Sequence, residues 1–412
     1  MSSSSFRYTA FCLILAIIID IMGIGLVFPL LPNLFIGNGA AFLAHSEVAM
    51  STREFYYGLA IALWALGIFL GTPFLGDVSD QIGRKKALVI CLSMMGVSYL
   101  LSALSLVFSN LTLFMLSRLM SGFFGASFPL AQAAFIDLSA PEDKAKNISY
   151  VTLASSVGIV FGPLLAAVSL KLASGTLALK LPFVLAACLS FLNAIAIQLL
   201  LRETFTVKPG AHANILSAVK ACSFMFLNPQ VRFLSINFLL LQFAWGLYVQ
   251  GLPMILAQQF NLSSVEVSLC YILIGISFGF GVLVAQPVIL KHMSLKSTYL
   301  VGVLVMAFLF LSAGYVLKLY WQVVVILTAC IFELFGYTAL IALLSNSVSD
   351  QEQGKALGGS GAVFGAAWTL IAFLIGHILS TELTLPYYLS GVCGLITFVL
   401  MFWYRPHDSF NK

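Results

Sequence analysis

The sequence lacks most of the polar features on which soluble and catalytic proteins rely. Charged residues make up 8% of the 412 positions, whereas soluble domains usually carry about a quarter. The seven cysteines are scattered singly, mostly in apolar segments, with no CxxC pair and no histidine at metal spacing, so we expect small buried hydrophobic side chains and no metal site. A glycine-rich phosphate loop and a Ser/His/Asp set are also missing from the sequence. It therefore predicts neither an enzyme nor an ATP-driven protein.

What the sequence has in abundance is apolar residues, arranged in runs that can cross a bilayer. Hydrophobic residues make up 61% of the chain, and a helix needs about 20 apolar residues to span the hydrocarbon core. We therefore predict an all-α membrane protein with twelve transmembrane helices. The predicted spans lie near residues 9–34, 55–76, 87–108, 110–138, 147–170, 181–201, 231–257, 264–290, 297–317, 319–348, 354–380 and 386–404. Because Asp20 interrupts the first run and no cleavage site follows it, we expect an uncleaved helix and not a signal peptide.

The chain divides into two halves of six helices each. The longest interior connection, residues 202–230, contains two prolines and a short amphipathic segment near 213–226. We expect it to link an N-terminal half, 1–201, to a C-terminal half, 231–412. A weak repeat supports this division, because PEDKAKN after span four and QEQGKAL after span ten each precede a glycine-rich helix. Two halves of parallel topology are one of the arrangements known for transporters.

The basic residues are concentrated on one side of the predicted membrane. Of the 20 lysines and arginines, fifteen fall in loops on the side of the N-terminus, four fall in loops on the other side, and Arg118 lies within a span. The positive-inside rule places both termini and the linker in the cytoplasm. The net charge of +5 is thus explained by the inward loops and gives no support for nucleic-acid binding. The expected macroscopic partner is the lipid bilayer, and we expect the protein to function as a monomer.

Three ionisable residues, Asp20, Arg118 and Glu333, fall deep within predicted spans. Such residues are costly in a membrane and are candidates for function. At about 1.5 Å per residue, Asp20 and Arg118 lie near the midplane at similar depth. The two residues can pair, directly or through water. Exchange of a proton at Asp20 would change the charge of a cavity at this depth between the helices. The alternative is a static pair that locks two helices. Glu333 has no cation in its own half, so it is a second proton carrier, a partner for a cationic substrate, or a protonated core residue.

The stretch GDVSDQIGRKK, residues 76–86, is a charged turn between spans two and three. Asp77 can cap the following turn or lie at the positive end of a neighbouring helix, and Arg84 can pair with Asp80. The glycines would permit close approach or a positive φ. We predict a cytoplasmic gating loop that opens and closes, and the alternative is a cluster that only sets orientation. The candidate gate residues are Gly76, Asp77, Asp80, Gly83, Arg84 and Lys85.

Two further groups of residues are candidates for packing and for substrate binding. Gly158, Gly162 and Pro163 in span five would allow close packing and a bend. Mid-span amides and aromatic rings would suit a small amphipathic organic compound, although packing between helices is the alternative for each of them. The candidate substrate-binding residues are Gln132, Asn237, Gln242, Trp245, Tyr248 and Trp368.

Four stretches of the first half resemble motifs of one family. They are DIMGIGLVFPLLPNLF in span one, which contains Asp20; GDVSDQIGRKK; RLMSGFFGA, which begins at Arg118; and SSVGIVFGP, which ends at Pro163. Together they resemble the major facilitator superfamily, and more narrowly its twelve-span drug/proton antiporters, with the tetracycline/proton exporters as the nearest likeness. The resemblance is best in the first half of the chain.

This resemblance implies a secondary active transporter that works by alternating access in a bacterial inner membrane. It implies export of a small amphipathic organic compound with the proton gradient as energy source and no cofactor, and it makes Asp20 and Arg118 proton-coupling residues. Span nine carries no acidic residue where the tetracycline exporters have one, so tetracycline is not the expected substrate. The alternative is an importer of a nutrient or a metal-chelating metabolite, by proton symport or facilitated diffusion.

Overall fold

The structure, a computed structural model, describes residues 3–36, 41–43, 48–138, 144–205, 213–349 and 352–404. Twelve of its helices are long and apolar enough to cross a membrane, which confirms the predicted fold class. The spans are Tyr8–Phe35, Met50–Ile82, Arg84–Val107, Leu111–Phe135, Tyr150–Leu172, Gly175–Leu200, Arg232–Gln259, Ser264–His292, Leu295–Tyr315, Leu319–Asn346, Gln353–Thr381 and Leu385–Trp403.

Span four is broken near its middle, which corrects the prediction of one continuous helix over 110–138. Its first piece, Leu111–Phe123, and its second piece, Ser127–Asp137, are separated by a turn. Glycine tolerates such a turn at little cost, and Gly125 donates its N–H to the carbonyl of Gly122 there. The break exposes the N-terminus of a second helix within the membrane. Gln132 therefore does not lie on one continuous helical face with Arg118.

The two halves meet through close helix pairs that depend on small residues. Span two packs on span eleven, where a Cβ at Gly58 would come within 2.8 Å of the Ala372 carbonyl oxygen. Span five packs on span eight, where a Cβ at Gly275 would lie 2.8 Å from the backbone nitrogen of Val160. With no hydrophobic effect to hold helices together in lipid, such close backbone contacts supply the attraction.

The predicted short helix between the halves is present at Ser217–Leu227. Span six ends at Leu200 and span seven begins at Arg232, so this linker helix lies between the two sets of six spans. It contacts spans two, seven and eleven. On span eleven, Gly359 leaves room for Met225 of the linker helix, because a Cβ there would lie 2.6 Å from the Met225 sulfur. The linker helix thus touches both halves of the protein.

Candidate transport site and cytoplasmic gate

Asp20 lies at the break in span four. Its Oδ2 accepts a hydrogen bond from Ser127 Oγ at 2.7 Å and another from the backbone N–H of Phe128. These donors form the N-terminus of the second piece of span four, where the helix dipole favours a negative charge. A Cβ on Gly125 would lie 3.5 Å from Asp20 Oδ1. Span one therefore supplies a cap to a helix in another span.

Arg118 is buried in the first piece of span four, with 2% of its surface exposed. Its guanidinium lies over the Trp64 ring, 5.9 Å from the centroid, and its Nη1 is 3.4 Å from Ser121 Oγ. The predicted direct pairing with Asp20 is not found among the ion pairs of the described residues. The reason is that Asp20 is engaged by the helix N-terminus and Arg118 by an aromatic face. Tyr99 of span three interacts electrostatically with both charges.

A chain of side chains crosses between the halves at spans two, seven and eleven. Trp64 contacts Trp368 edge-on, with centroids 6.3 Å apart. Trp368 donates its indole N–H to Gln242 Oε1 at 3.2 Å, and Gln250 Nε2 donates to the Trp368 carbonyl at 3.3 Å. The Tyr57 hydroxyl of span two donates to the Gln250 carbonyl at 2.5 Å. Amides and indoles therefore line the contact between the two halves.

Several buried polar atoms beside this chain have no hydrogen-bond partner within the described part of the protein. They include Gln242 Nε2, Gln250 Oε1 and the hydroxyls of Tyr248 and Tyr387. Tyr248 stacks on Phe310 at 4.3 Å and lies 5.7 Å from the Tyr387 ring. Buried polar groups are nearly always hydrogen-bonded, so each of these atoms is a candidate donor or acceptor for a bound polar molecule.

The other candidate substrate residues have different surroundings. Asn237 donates to the Phe233 carbonyl and accepts from Thr397 at 3.0 Å, so its amide ties span seven to span twelve. Trp245 packs against Tyr248 and Phe310 and belongs to the aromatic group. Gln132 is half-buried in the second piece of span four. Of the six candidates, Trp368 is thus brought to Gln242, and Trp245 and Tyr248 form a second pair within the aromatic group.

Glu333 is buried in span ten, with 5% of its surface exposed. No ion pair to it occurs within the described ranges, which agrees with the prediction that its half offers no cation. Its neighbours include Tyr337 and Cys330, with which it interacts electrostatically. Glu333 is therefore an isolated carboxyl on the C-terminal side of the molecule.

At the end of the membrane helices that carries the linker helix, Asp77 receives hydrogen bonds from the start of that helix. Ser217 Oγ donates to Asp77 Oδ2 at 2.6 Å, and the backbone N–H of Asn214 donates at 3.3 Å. Two positions were expected for Asp77, a cap of the following turn or the positive end of a neighbouring helix, and the hydrogen bonds agree with the second, with the linker helix as that neighbour. Asp77 therefore fastens the linker helix to span two.

Gly83 and Glu203 form a second part of the gate. Glu203 accepts from the backbone N–H groups of Arg84 at 2.8 Å and Lys85 at 3.2 Å, at the start of span three. Gly83 has a φ of +95°, and a Cβ there would overlap the Glu203 carboxylate. Gly83 therefore has the positive φ and the close approach that were predicted for it. The same expectation for Gly76 was wrong, because Gly76 lies within span two with no positive φ and no atom within 4 Å of a Cβ position.

Arg84 connects the ends of spans two, three and four. It pairs with Asp80 at 3.3 Å, as predicted, and with Asp137 at 3.8 Å. Its guanidinium also lies 4.6 Å from the centroid of the Phe205 ring. Because the linker helix contacts span eleven as well as Asp77, the charged cluster reaches the other half through the linker.

The glycines and proline of span five pack against span one. A Cβ on Gly158 would lie 2.9 Å from the Ile18 carbonyl oxygen, and one on Gly162 would overlap the Met22 carbonyl oxygen. The ring of Pro163 touches Gly25, whose Cβ position is 2.6 Å from its Cδ. The helix Lys144–Leu172 continues through Pro163 without interruption. Close packing is therefore the observed role of these residues.

The sequence reasoning missed several residues that build these sites. Gln250 and Tyr387 supply unpartnered polar atoms. The Trp64 ring contacts Arg118, and Tyr99 interacts with Arg118 electrostatically. Glu203 caps the start of span three. Tyr387 follows a proline at the start of span twelve, where an aromatic residue reads as an interfacial anchor. The contacts of Glu203 with span three link residues far apart in the sequence, and no local pattern indicates them.

Twelve membrane helices and a polar chain between the halves are features of a membrane transporter. The chain belongs to the Major Facilitator Superfamily, whose family model matches residues 13–337 and 234–412. This confirms the family and the expectation of a transporter in place of an enzyme.

Two relatives and one solved structure show the extent of the likeness. The chain is 27% identical over 374 residues to the class C tetracycline resistance protein of Escherichia coli, covering 89% of this chain and 87% of that protein. It is 28% identical over 198 residues to the class B protein of Escherichia coli, where the match spans 48% of this chain and 45% of that protein. A xylose transporter from Escherichia coli has the same fold, with a TM-score of 0.74, 16% identity and full coverage of both chains.

Proposed function

We propose that the protein is a proton-coupled exporter of small amphipathic organic compounds. It works by alternating access in a bacterial inner membrane with both termini in the cytoplasm, and the proton gradient supplies its energy without a cofactor. The observation that carries the proposal is Asp20, a membrane-embedded carboxylate held by the N-terminus of a broken helix. The relationship to tetracycline resistance proteins supports export.

Protonation of Asp20 changes how span one is held to span four. The ionised carboxylate accepts from Ser127 and Phe128, and a hydrogen bond to a charged group contributes about 1.5–3 kcal/mol, against about 0.5–1.5 kcal/mol for a neutral one. A proton on Asp20 also removes its favourable interaction with the helix dipole. The proton therefore loosens this contact, and its departure restores it. Arg118, in the other piece of span four, keeps its positive charge, which would attract an anionic group of the cargo and repel a cationic one.

The cargo binds at the contact between the halves. The unpartnered atoms of Gln242, Gln250, Tyr248 and Tyr387 supply hydrogen bonds, and the rings of Tyr248 and Trp245 supply apolar surface. Such a lining suits a compound with an aromatic body and a few polar groups. Glu333 serves as a second proton carrier or as a partner for a cationic cargo.

An importer is the second candidate function. The same fold is found in a xylose transporter, and span nine, Leu295–Tyr315, lacks the acidic residue expected of tetracycline exporters. Proton symport of a nutrient or a metal-chelating metabolite would use the same protonation of Asp20. Comparing accumulation of one compound in everted and right-side-out vesicles, each with an imposed pH gradient, distinguishes export from import.

Transport in proteoliposomes tests the proton coupling. Asp20→Asn should abolish concentrative transport of a fluorescent amphipathic cation under a pH gradient, because the amide cannot take up a proton. Exchange of labelled for unlabelled compound without a gradient should persist, since it requires no net proton movement. Glu382→Gln is the matched control, because that exposed carboxylate lies after span eleven and, within the described part of the chain, accepts a hydrogen bond from Thr384 alone.

Two outcomes would contradict the proposal. If wild-type protein moves its compounds equally with and without the gradient, transport is not proton-coupled. If Asp20→Asn retains gradient-driven accumulation, Asp20 is not the coupling residue. Glu333→Gln, measured in the same two assays, distinguishes the roles of Glu333: a proton carrier loses only accumulation, whereas a cargo partner loses exchange as well.

A further inference from the structure

An apolar groove lies between the linker helix and the membrane helices beside it. Its volume is about 460 Å³, which falls in the range of small-molecule sites. Val219, Cys222 and Phe226 of the linker helix form one wall, and Val363, Ala366 and Leu370 of span eleven form the other, with spans two and seven completing it. This groove is separate from the midplane residues of the proposed transport site.

The groove runs from the end of the membrane helices toward the hydrocarbon core. Val363, Ala366 and Leu370 are spaced by three and four residues, so they share one face of span eleven and cover a rise of about 10 Å. At the far end Leu370 has 53% of its surface exposed. Since span eleven crosses the bilayer, the groove opens to lipid at Leu370, whereas Val363 at its other end is buried. The groove therefore has the direction and lining suited to a hydrocarbon chain.

The rim of the groove is basic. Lys220 is exposed, and on the linker helix it is three residues from Ser223 and seven from Leu227, both of which line the groove. These spacings place Lys220 on the adjoining helix surface. The nearby carboxylates Asp77 and Glu203 are occupied by N–H and O–H donors. Among the described residues Lys220 has no ion pair, and a cation beside an apolar groove, on the side that the positive-inside rule assigns to the cytoplasm, complements an anionic lipid.

We infer that this groove binds an anionic phospholipid of the cytoplasmic leaflet. One acyl chain lies along span eleven, and the phosphate lies near Lys220. Because the linker helix forms one wall of the groove and is fastened to Asp77, the bound lipid holds this helix against spans two and eleven. The lipid thereby stabilises the closed arrangement of the cytoplasmic gate.

Modification of Cys222 reports whether the groove is filled. Cys222 lines the groove, and the remaining cysteines are buried except Cys188 and Cys393, which are replaced by serine. The protein is reconstituted in phosphatidylcholine, with or without phosphatidylglycerol, and the rate of maleimide modification is measured. Phosphatidylglycerol should slow it about fivefold, as one lysine near an anionic surface implies. Lys220→Gln should remove most of that difference.

A matched pair of variants separates groove binding from a general effect of membrane charge. Ser223→Phe fills the groove and should make the rate independent of phosphatidylglycerol. Ser93→Phe makes the same change in a hollow of about 230 Å³ between spans three and six and should leave the dependence intact. Native mass spectrometry should show phosphatidylglycerol retained by the wild type and lost from Ser223→Phe.

Three results would overturn the inference. Equal protection by phosphatidylcholine would mean that charge plays no part. If the modification rate of Cys222 still depends on phosphatidylglycerol in Ser223→Phe, the dependence arises from the surface potential of the membrane and not from the groove. Protection by soluble glycerol phosphate would show that a free anion, and not a lipid, occupies the rim.

Discussion

The contact between Asp77 and the linker helix gives the sharpest prediction for the gate. Asp77→Asn keeps an acceptor of the same shape for Ser217 and Asn214 but removes its charge. A hydrogen bond to a charged acceptor exceeds a neutral one by about 1–1.5 kcal/mol, and the charge at a helix N-terminus adds about 0.3–1 kcal/mol. Because Asp77 is only half-buried, we discount the total to about 1–2 kcal/mol. Undocking of the linker helix should then become roughly five to thirty times more populated.

Cys222 provides the assay for this undocking. While the linker helix is docked, burial raises the pKa of the Cys222 thiol, and only the thiolate reacts with a maleimide. Undocking exposes the thiol and returns its pKa toward the ordinary value, so a larger fraction is ionised at a given pH. Asp77→Asn should therefore speed modification and shift the rate profile to lower pH. Insertion and orientation should be unchanged, whereas transport should be impaired.

Asp80→Asn is the control for this experiment. Asp80 lies on the same cytoplasmic segment and pairs with Arg84, and no contact of it with the linker helix is found in the described structure. If the two variants modify Cys222 at the same rate, or if Asp77→Asn transports normally, the charged cluster sets topology alone.

Two further variants test the packing and the cargo site. Gly162→Ala should lower thermal stability by about 1–3 kcal/mol, because its methyl group would meet the backbone of span one near Asp20 and overpacking costs that much. Gly361→Ala is the control and should not lower it, since the space around Gly361 is open. Equal melting temperatures of the two variants would refute the close-packing role. Trp368→Phe should weaken cargo binding about fivefold, because it removes the indole N–H that orients Gln242. Trp403→Phe changes a ring that is 76% exposed and should leave the dissociation constant unchanged. An unaltered dissociation constant in Trp368→Phe would exclude this hydrogen bond from the cargo site.

The helices and some features of the charged segment between spans two and three were predictable because their causes are local in the sequence. An apolar run of fixed length must form a helix in lipid, since every backbone polar group needs a partner there. Asp77 lies within span two, Met50–Ile82, and its donors are at the start of a neighbouring helix, one of the two positions expected for it. Gly83 likewise has the positive φ that its place in a charged turn suggested.

The arrangement of the deep charges was not predictable, because depth along a helix says nothing about direction around it. Asp20 and Arg118 lie in spans at similar predicted depth, yet Asp20 faces the break in span four and Arg118 faces Trp64. The break itself depends on Asp20, a residue more than one hundred positions away, whose carboxylate satisfies the N–H of Phe128. Glycine in RLMSGFFGA permits a break, but only the tertiary partner determines that one forms.

In the proposed mechanism, the broken helix is the element through which proton and cargo affect each other. Coupling requires an element with two arrangements that both sites bias. We propose span four as this element, since its second piece donates hydrogen bonds to Asp20 and its first piece contains Arg118. The cargo site reaches span four through a series of contacts. Arg118 lies over the Trp64 ring, Trp64 contacts Trp368 edge-on, and Trp368 donates a hydrogen bond to Gln242. A proton that releases the second piece of span four thus alters the support of the cargo site, and bound cargo, by ordering Gln242 and Trp368, favours one arrangement of Arg118. Thermodynamic reciprocity then requires that cargo binding change proton affinity by the same factor, and this change should be lost in Asp20→Asn.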